Sequence, residues 1–306
     1  MLRLQGKAQA DPRKARPHQV WLHIGHGKTG TTALQDYFVY RTTCDPQFHF
    51  PVTGRRASGA HHDVFPLEHQ AGLLKAAPSL LAVLRAEIKA RPAEHLTVLS
   101  SEHLCYFRPW QAAQVIKALK GFDVRLLYYV RRQDALMESA YKWRLAEGPD
   151  TYNGITDFVR HQVRGFDFLQ RIAPWTAHVS DDHIRARLYH RETCAEDIVS
   201  DVEQVLGLDP LDRCGGARVH RESLNTVMIE ILRAFDRAHP QSKQRQGFLQ
   251  DLREVQTRLE VKSDRGVMPQ ALKSEIMARY QLSNSEFSHR FMSEADRRIL
   301  LQSMSP

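Results

Sequence analysis

The stretch that decides the fold is Gln19-Val20-Trp21-Leu22-His23-Ile24-Gly25-His26-Gly27-Lys28-Thr29-Gly30-Thr31-Thr32. Its first six residues are a short β-prone run that stops at Gly25, and from Thr32 the apolar residues Leu34, Tyr37 and Phe38 take the spacing of one helix face. The pattern predicts a buried strand, a glycine-threonine loop and a helix N-terminus in succession. Such a loop suits an anion. It offers backbone amides, glycines for close approach, the Lys28 ammonium and the hydroxyls of Thr29, Thr31 and Thr32.

Working outward, Leu96 to Ser100 reads as a second strand and Val124 to Val130 as the clearest strand of the chain, an apolar run suited to the middle of a parallel sheet. Ile184 to Tyr189 alternates as a further strand. Helical spacing covers Leu73 to Ala90, a segment from Pro109 that Gly121 ends, a segment after Arg131-Arg132, Ile155 to Ile172, and Cys194 to Leu206 before Gly207. Strands alternating with helices predict an α/β fold, a parallel β-sheet flanked by helices. Residues 41–70 lack periodicity, which fits a functional loop or a disordered one. After Leu224 strand signals cease and Met228, Ile229, Ile231, Leu232 and Phe235 mark an amphipathic helix. The expected organisation is a disordered basic tail at 1–17, an α/β core at 18–223, and a helical C-terminal extension at 224–306 packed on the core.

The 306 residues are 42% hydrophobic and 25% charged, an ordinary globular balance, with a formal net charge of +8. The basic excess favours anionic ligands. Nucleic acid is not indicated, because the densest basic run is Arg13-Lys14-Ala15-Arg16. The longest apolar runs fall far short of the ~20 residues of a membrane-spanning helix, so no stable membrane insertion is expected. The first seventeen residues lack a secretory signal core, and the expected location is cytoplasmic. Cys44, Cys105, Cys194 and Cys214 form no Cys-x-x-Cys pair and read as reduced thiols.

The loop fails the Walker A pattern, because the position that needs its first glycine is Leu22, inside the strand. What remains, Lys28-Thr29-Gly30-Thr31-Thr32 after a short strand, resembles the 5′-phosphosulfate loop of sulfotransferases that use 3′-phosphoadenosine 5′-phosphosulfate, PAPS. A second segment, Tyr129-Val130-Arg131 through Ser139, resembles that family's 3′-phosphate signature. Arg131 ends a strand and Ser139 follows eight positions later on the next helix, on the same side. Leu188-Tyr189-His190-Arg191 is similar to the family's strand-end Tyr-Glu segment, with His190 in place of the acid; Tyr189 either borders the adenine or is a half-buried strand tyrosine. The segments Arg218 to Asn225 and around Asn284 are reminiscent of bacterial members. The resemblance implies a P-loop NTPase-like sulfotransferase fold, PAPS as co-substrate held by Gly27, Lys28, Thr29, Gly30, Thr31, Thr32, Arg131, Ser139 and Tyr189, and no metal.

Sulfuryl transfer needs positive charge on the leaving oxygen and a base for the acceptor's proton. Lys28 suits the first role. His62, in Gly59-Ala60-His61-His62-Asp63, and Glu102, at the end of the second strand, are the candidates for the second. A histidine with an ordinary pKa near 6.5 makes His62 the first choice, with Glu102 as its supporter or substitute. The duller readings are a solvated or metal-binding His61-His62-Asp63 loop and a capping or salt-bridging Glu102. The expected acceptor is a hydroxyl or amine, first of all on a carbohydrate or glycoconjugate, with a phenolic or lipid acceptor as the other choice. Two rival functions remain: a P-loop nucleotide-dependent kinase, and a non-catalytic polyanion- or RNA-binding protein.

Overall fold

The computed structural model describes residues 17–194, 197–211, 224–259 and 266–302. Residues 1–16 of the expected basic tail, Cys214 and Arg218 to Ser223 lie outside them. Five strands, β1 (Gln19–His23), β2 (Phe48–His49), β3 (Leu96–Ser100), β4 (Asp123–Val130) and β5 (Ile184–Leu188), form one sheet in the order β2-β3-β1-β4-β5. Every pairing is parallel. β1 is therefore central, with Leu22 beside Leu99 on one flank and Leu126 on the other. The chain runs to β2 and β3 on one side of β1 and to β4 and β5 on the other, so the carboxyl ends of β1, β3 and β4 frame the crevice where open parallel sheets bind ligands.

The alternation of side chains along the strands divides the core between two faces. Val20, Leu22, Leu126, Tyr128 and Val130 point to one, where they meet Phe168, Trp175, Phe287 and Phe291. Trp21, Leu127 and Tyr129 point to the other, where they meet Leu34, Phe38, Ile198 and Val202. Each large side chain so buried contributes about 1.5–3 kcal/mol. Because β4 is covered on both faces, both of its tyrosines are fully buried.

The flanking helices are α1 (Thr31–Cys44), α2 (Ala71–Lys89), α3 (Pro109–Ala118), α4 (Gln133–Glu147), α5 (Ile155–Gln162), α6 (Phe168–Thr176) and α7 (Ile198–Leu206). Two expected helices are corrected. Ile155 to Ile172 is interrupted by a 3-10 turn, Val163–Phe166, and Asp167 restarts the helix by accepting a bond from the Gln170 amide. The helix expected from Cys194 starts at Ile198, where Asp197 accepts from the Ser200 amide; it closes on Gly207 at φ 67°.

The segment 41–70 contains β2 and an ordered loop. Glu87 of α2 accepts bonds from the amides of Val52 and Thr53 and from the Thr53 hydroxyl. The C-terminal helices are α8 (Thr226–Ala238), α9 (Arg245–Arg258), α10 (Gln270–Phe291) and α11 (Glu294–Leu301). α10 adds Phe287 and Phe291 to the sheet core and Ile276 and Tyr280 to a second cluster with α4, α5, α8 and α9. Among the described residues no helix is long and apolar enough to cross a membrane.

Candidate active site

The loop after β1 is held in a shape that leaves its donors open. The Thr29 hydroxyl bonds back to the His26 carbonyl at 2.6 Å, closing a tight turn. Lys28 has φ 73°, a left-handed conformation that is costly for a residue with a side chain and characteristic of functional sites. Gly30, at φ 78°, precedes α1 without a side-chain cap, so the first-turn amides of the helix have no intrahelical partner. Gly30 also has no room for a Cβ, which would stand 2.5 Å from Ile198 Cδ1 and 3.0 Å from Tyr189 Cε2. Beside Gly27 the same Cβ would meet nothing within 4 Å. Thr31 is buried and Thr32 is exposed.

Three residues named from separate parts of the sequence come together here, Lys28, Arg131 and Tyr189. Tyr189 follows β5, and its amide bonds the Val130 carbonyl at 2.6 Å, next to Arg131. Its ring lies against Gly30, as the forbidden Cβ position shows. Arg131 is half-buried after the end of β4, and Lys28 is half-buried after β1. Burial lowers the pKa of both cations; the positive charge of Arg131 further lowers that of Lys28, with Glu147 opposing. Among the described residues neither Lys28 nor Arg131 has an ion pair or a side-chain hydrogen bond. Ser139 on α4 is buried at 8% exposure, and its hydroxyl likewise has no partner among them. Partly dehydrated cations without a direct ion pair are costly unless a ligand supplies one.

The second half of the site lies at the end of β3. His62 Nδ1 stands 2.7 Å from Ser101 Oγ, and its Nε2 is 3.5 Å from Glu102 Oε2. Ser101 Oγ also accepts from the His103 amide, and its O–H is available to His62 Nδ1. In the tautomer in which Nδ1 accepts, the His62 proton lies on Nε2, facing Glu102. Burial, then neighbouring His103, pushes His62 down to about 4 against the pull of Glu102, so its pKa is not the ordinary 6.5. Glu102 also accepts from Gln35 Nε2 at 3.2 Å. Burial opposes its charge, but bonds from Thr31 and its own amide and the nearby His62 and His23 hold its carboxyl below the usual range. His61 is structural: its Nε2–H donates to the Pro51 carbonyl at 2.9 Å, and Nδ1 accepts from the Ser100 amide. Asp63 pairs with Arg56 at 2.7 Å. Among the described residues no group of three or more His, Cys, Asp or Glu could hold a metal ion.

Sequence reasoning missed several neighbours. His103 stacks on His62 with ring centroids 3.8 Å apart and donates from Nδ1 to the Phe65 carbonyl, which leaves its Nε2 as an acceptor. Gln35 ties α1 to β3 through Ser100 Oγ and Glu102. His23 and His26, inside the quoted stretch itself, are buried and pushed down to about 4 and about 3 by desolvation. Each keeps a buried Nε2 with no hydrogen-bond partner among the described residues. The pattern of the stretch named its strand and its loop, yet carried no signal for these contacts.

No family model matches the chain. An uncharacterized protein of Archaeoglobus fulgidus is 28% identical over 100 residues, 31% of this chain; the match spans about a quarter, 26%, of that relative's length. Among solved structures, a sulfotransferase of Alicyclobacillus acidocaldarius is similar with a TM-score of 0.40 and 15% identity, covering 78% of this chain and 96% of that one. The sulfotransferase domain of the Synechococcus PCC 7002 olefin synthase has a TM-score of 0.41 and 15% identity, covering 82% and 98%. Retinol dehydratase in complex with retinol and PAP has a TM-score of 0.36 and 14% identity, covering 90% and 83%.

Proposed function

We propose that this chain is a sulfotransferase that takes PAPS and passes its sulfuryl group to a hydroxyl acceptor. The observation that carries this reading is that two cations unpaired among the described residues, Lys28 and Arg131, follow adjacent parallel strands and lie close enough for the charge of Arg131 to lower the Lys28 pKa. A kinase cradle gathers its phosphates at one loop, and its first glycine would have to stand at Leu22, which is fully buried in β1.

When bound, PAPS supplies the sulfuryl group and a phosphate leaving group. The open amides of α1 and the Lys28 ammonium hold the 5′ side, with Lys28 offering positive charge to the leaving oxygen. Arg131 and Ser139 hold the 3′-phosphate, and Tyr189 borders the base. Glu102 takes the acceptor's proton. His62, which the sequence favoured for that task, instead stands with its Nε2 3.5 Å from Glu102 and helps to orient it together with Gln35 and Thr31. A carboxylate kept ionised is a weak base, and its strength here is placement.

Thermal-shift ranking of 3′-phosphoadenosine 5′-phosphate (PAP), ATP, ADP and AMP tests the proposal, since a ligand that binds the native state raises its melting temperature. PAP should give the largest shift. ATP as the best ligand sinks the reading.

A further inference from the structure

A third cation stands beside the loop. Arg171 of α6 is half-buried, and its guanidinium carbon lies 4.7 Å from the centroid of the Tyr106 ring. Its Nε donates to the Gly165 carbonyl at 2.9 Å. Among the described residues nothing accepts from its two terminal nitrogens. Asp167, four residues before it, accepts the Gln170 amide and caps α6. Stacking on an aromatic face contributes about 0.5–2 kcal/mol, and it leaves the forked donors of the guanidinium free.

The surroundings of Arg171 run directly into the proposed nucleotide loop. The Tyr106 hydroxyl is 3.5 Å from Nδ1 of His26, which stands two residues before Lys28. The His26 ring stacks on Phe166, half-buried, with centroids 5.8 Å apart and planes 5° from parallel. Tyr106 itself is 40% exposed, so the cluster opens to solvent. The positive charge of Arg171 is felt at His26, where it adds to burial in lowering the imidazole pKa. Aromatic walls beside an unpaired fork of donors match a flat ring that bears an anion.

We infer that Arg171, Tyr106 and Phe166 form an acceptor subsite that takes an acidic group, a carboxylate or a comparable monoanion, carried on a flat ring. The inference rests on the reading of Lys28 and Arg131 as the nucleotide site, and it selects the phenolic acceptor over the carbohydrate expected first and narrows it to an acidic one. The terminal nitrogens of Arg171 hold the anion, and the ring lies against the aromatic side chains. The acceptor hydroxyl is then directed toward the region between Lys28 and Glu102.

The test is calorimetric titration of the PAP-saturated protein with 4-hydroxybenzoate and with its neutral counterpart 4-hydroxybenzamide. A charge-assisted fork favours the acid by about ten- to a hundredfold. Arg171→Gln should abolish that preference while leaving PAP affinity within about twofold. Arg171→Lys keeps the charge, loses the fork and should retain a reduced preference; it replaces the glutamine variant if that one fails to fold. Equal binding of the two probes, absence of binding by both, or an acid preference that survives in Arg171→Gln overturns the inference. A protein that fails to bind PAP removes the sulfotransferase reading instead, and titration without nucleotide still reads the acid preference, so the two failures are distinguishable.

Discussion

Arg131→Ala separates a binding cation from a structural one. In the folded chain Arg131 has no counter-ion among the described residues, and burial works against its charge, with Tyr189, Glu138 and Asp134 partly offsetting it. Its deletion should therefore leave folding stability within about 0.5 kcal/mol of the parent, because no native bond is lost and a like charge near Lys28 is removed. Ligand binding behaves oppositely. Two forked, charge-assisted bonds to a 3′-phosphate at about 1.5 kcal/mol each make about 3 kcal/mol, roughly a 150-fold rise in the Kd of PAP. AMP, which lacks that phosphate, should weaken by less than about threefold. Isothermal titration of both ligands at one fixed ionic strength reads the difference, since salt screens phosphate contacts. If PAP and AMP weaken together, or PAP does not weaken, Arg131 does not read the 3′-phosphate and the two-site argument fails.

Three further outcomes follow from the hydrogen bonds and titrations. In single-turnover transfer with PAPS saturating, Glu102→Gln should lose about a hundredfold or more and His62→Ala about tenfold; the reverse ranking returns the base role to the imidazole. His23, His61 and His62 sit near 4 and His26 near 3, burial being the first cause in each, whereas in the unfolded chain they titrate near 6.5. The unfolded state thus binds more protons between these values, and stability should fall as pH drops from about 6.5 toward 4. A urea midpoint that stays flat from pH 7 to 5 contradicts the neutral burial of these rings. Gln133 and Asn284 exchange two amide bonds, 2.7 and 2.9 Å, inside the α4–α10 contact. Asn284→Leu should cost about 1–3 kcal/mol by stranding Gln133, and Gln133→Leu with Asn284→Leu should cost less than the sum of the single changes; additive costs in denaturant unfolding refute the pairing.

The parallel core was legible because its signals are local. β1 and β4 announce themselves as apolar runs, and both are covered on two faces, the condition under which a strand needs no polar alternation. Breaks within an apolar pattern were not legible. From Ile155 to Ile172 the helical spacing persists across Gly165 and Asp167, and nothing local reveals that Arg171 reaches back to the Gly165 carbonyl and fixes the turn. The two-residue β2 is too short for periodicity. It exists because its backbone pairs with β3, as Phe48 beside Leu96, and because His49 bonds the buried Thr97 hydroxyl.

The site divides along a different line. Its glycine loop was legible because amides, glycines and lysine are adjacent in sequence, but the meaning of a cation depends on what it lacks, and no pattern records a missing partner. Arg131 and Arg132 make the point. They are neighbours of the same type, and composition gives no reason to prefer either. In the fold Arg132 bonds Asp134 and the carbonyls of Ile299 and Gln302 at the end of α11, so its charge is satisfied and it fastens the C-terminal helices to the end of β4. Gln133 does the same for α10 through Asn284. Arg131, held between Val130 in the sheet and these two anchored residues, is left without a partner among the described residues, and its place is set by bonds it does not make itself. Arg171 was overlooked for the same reason: it stands in no motif, and its unpaired fork appears only once α6 packs beside the loop.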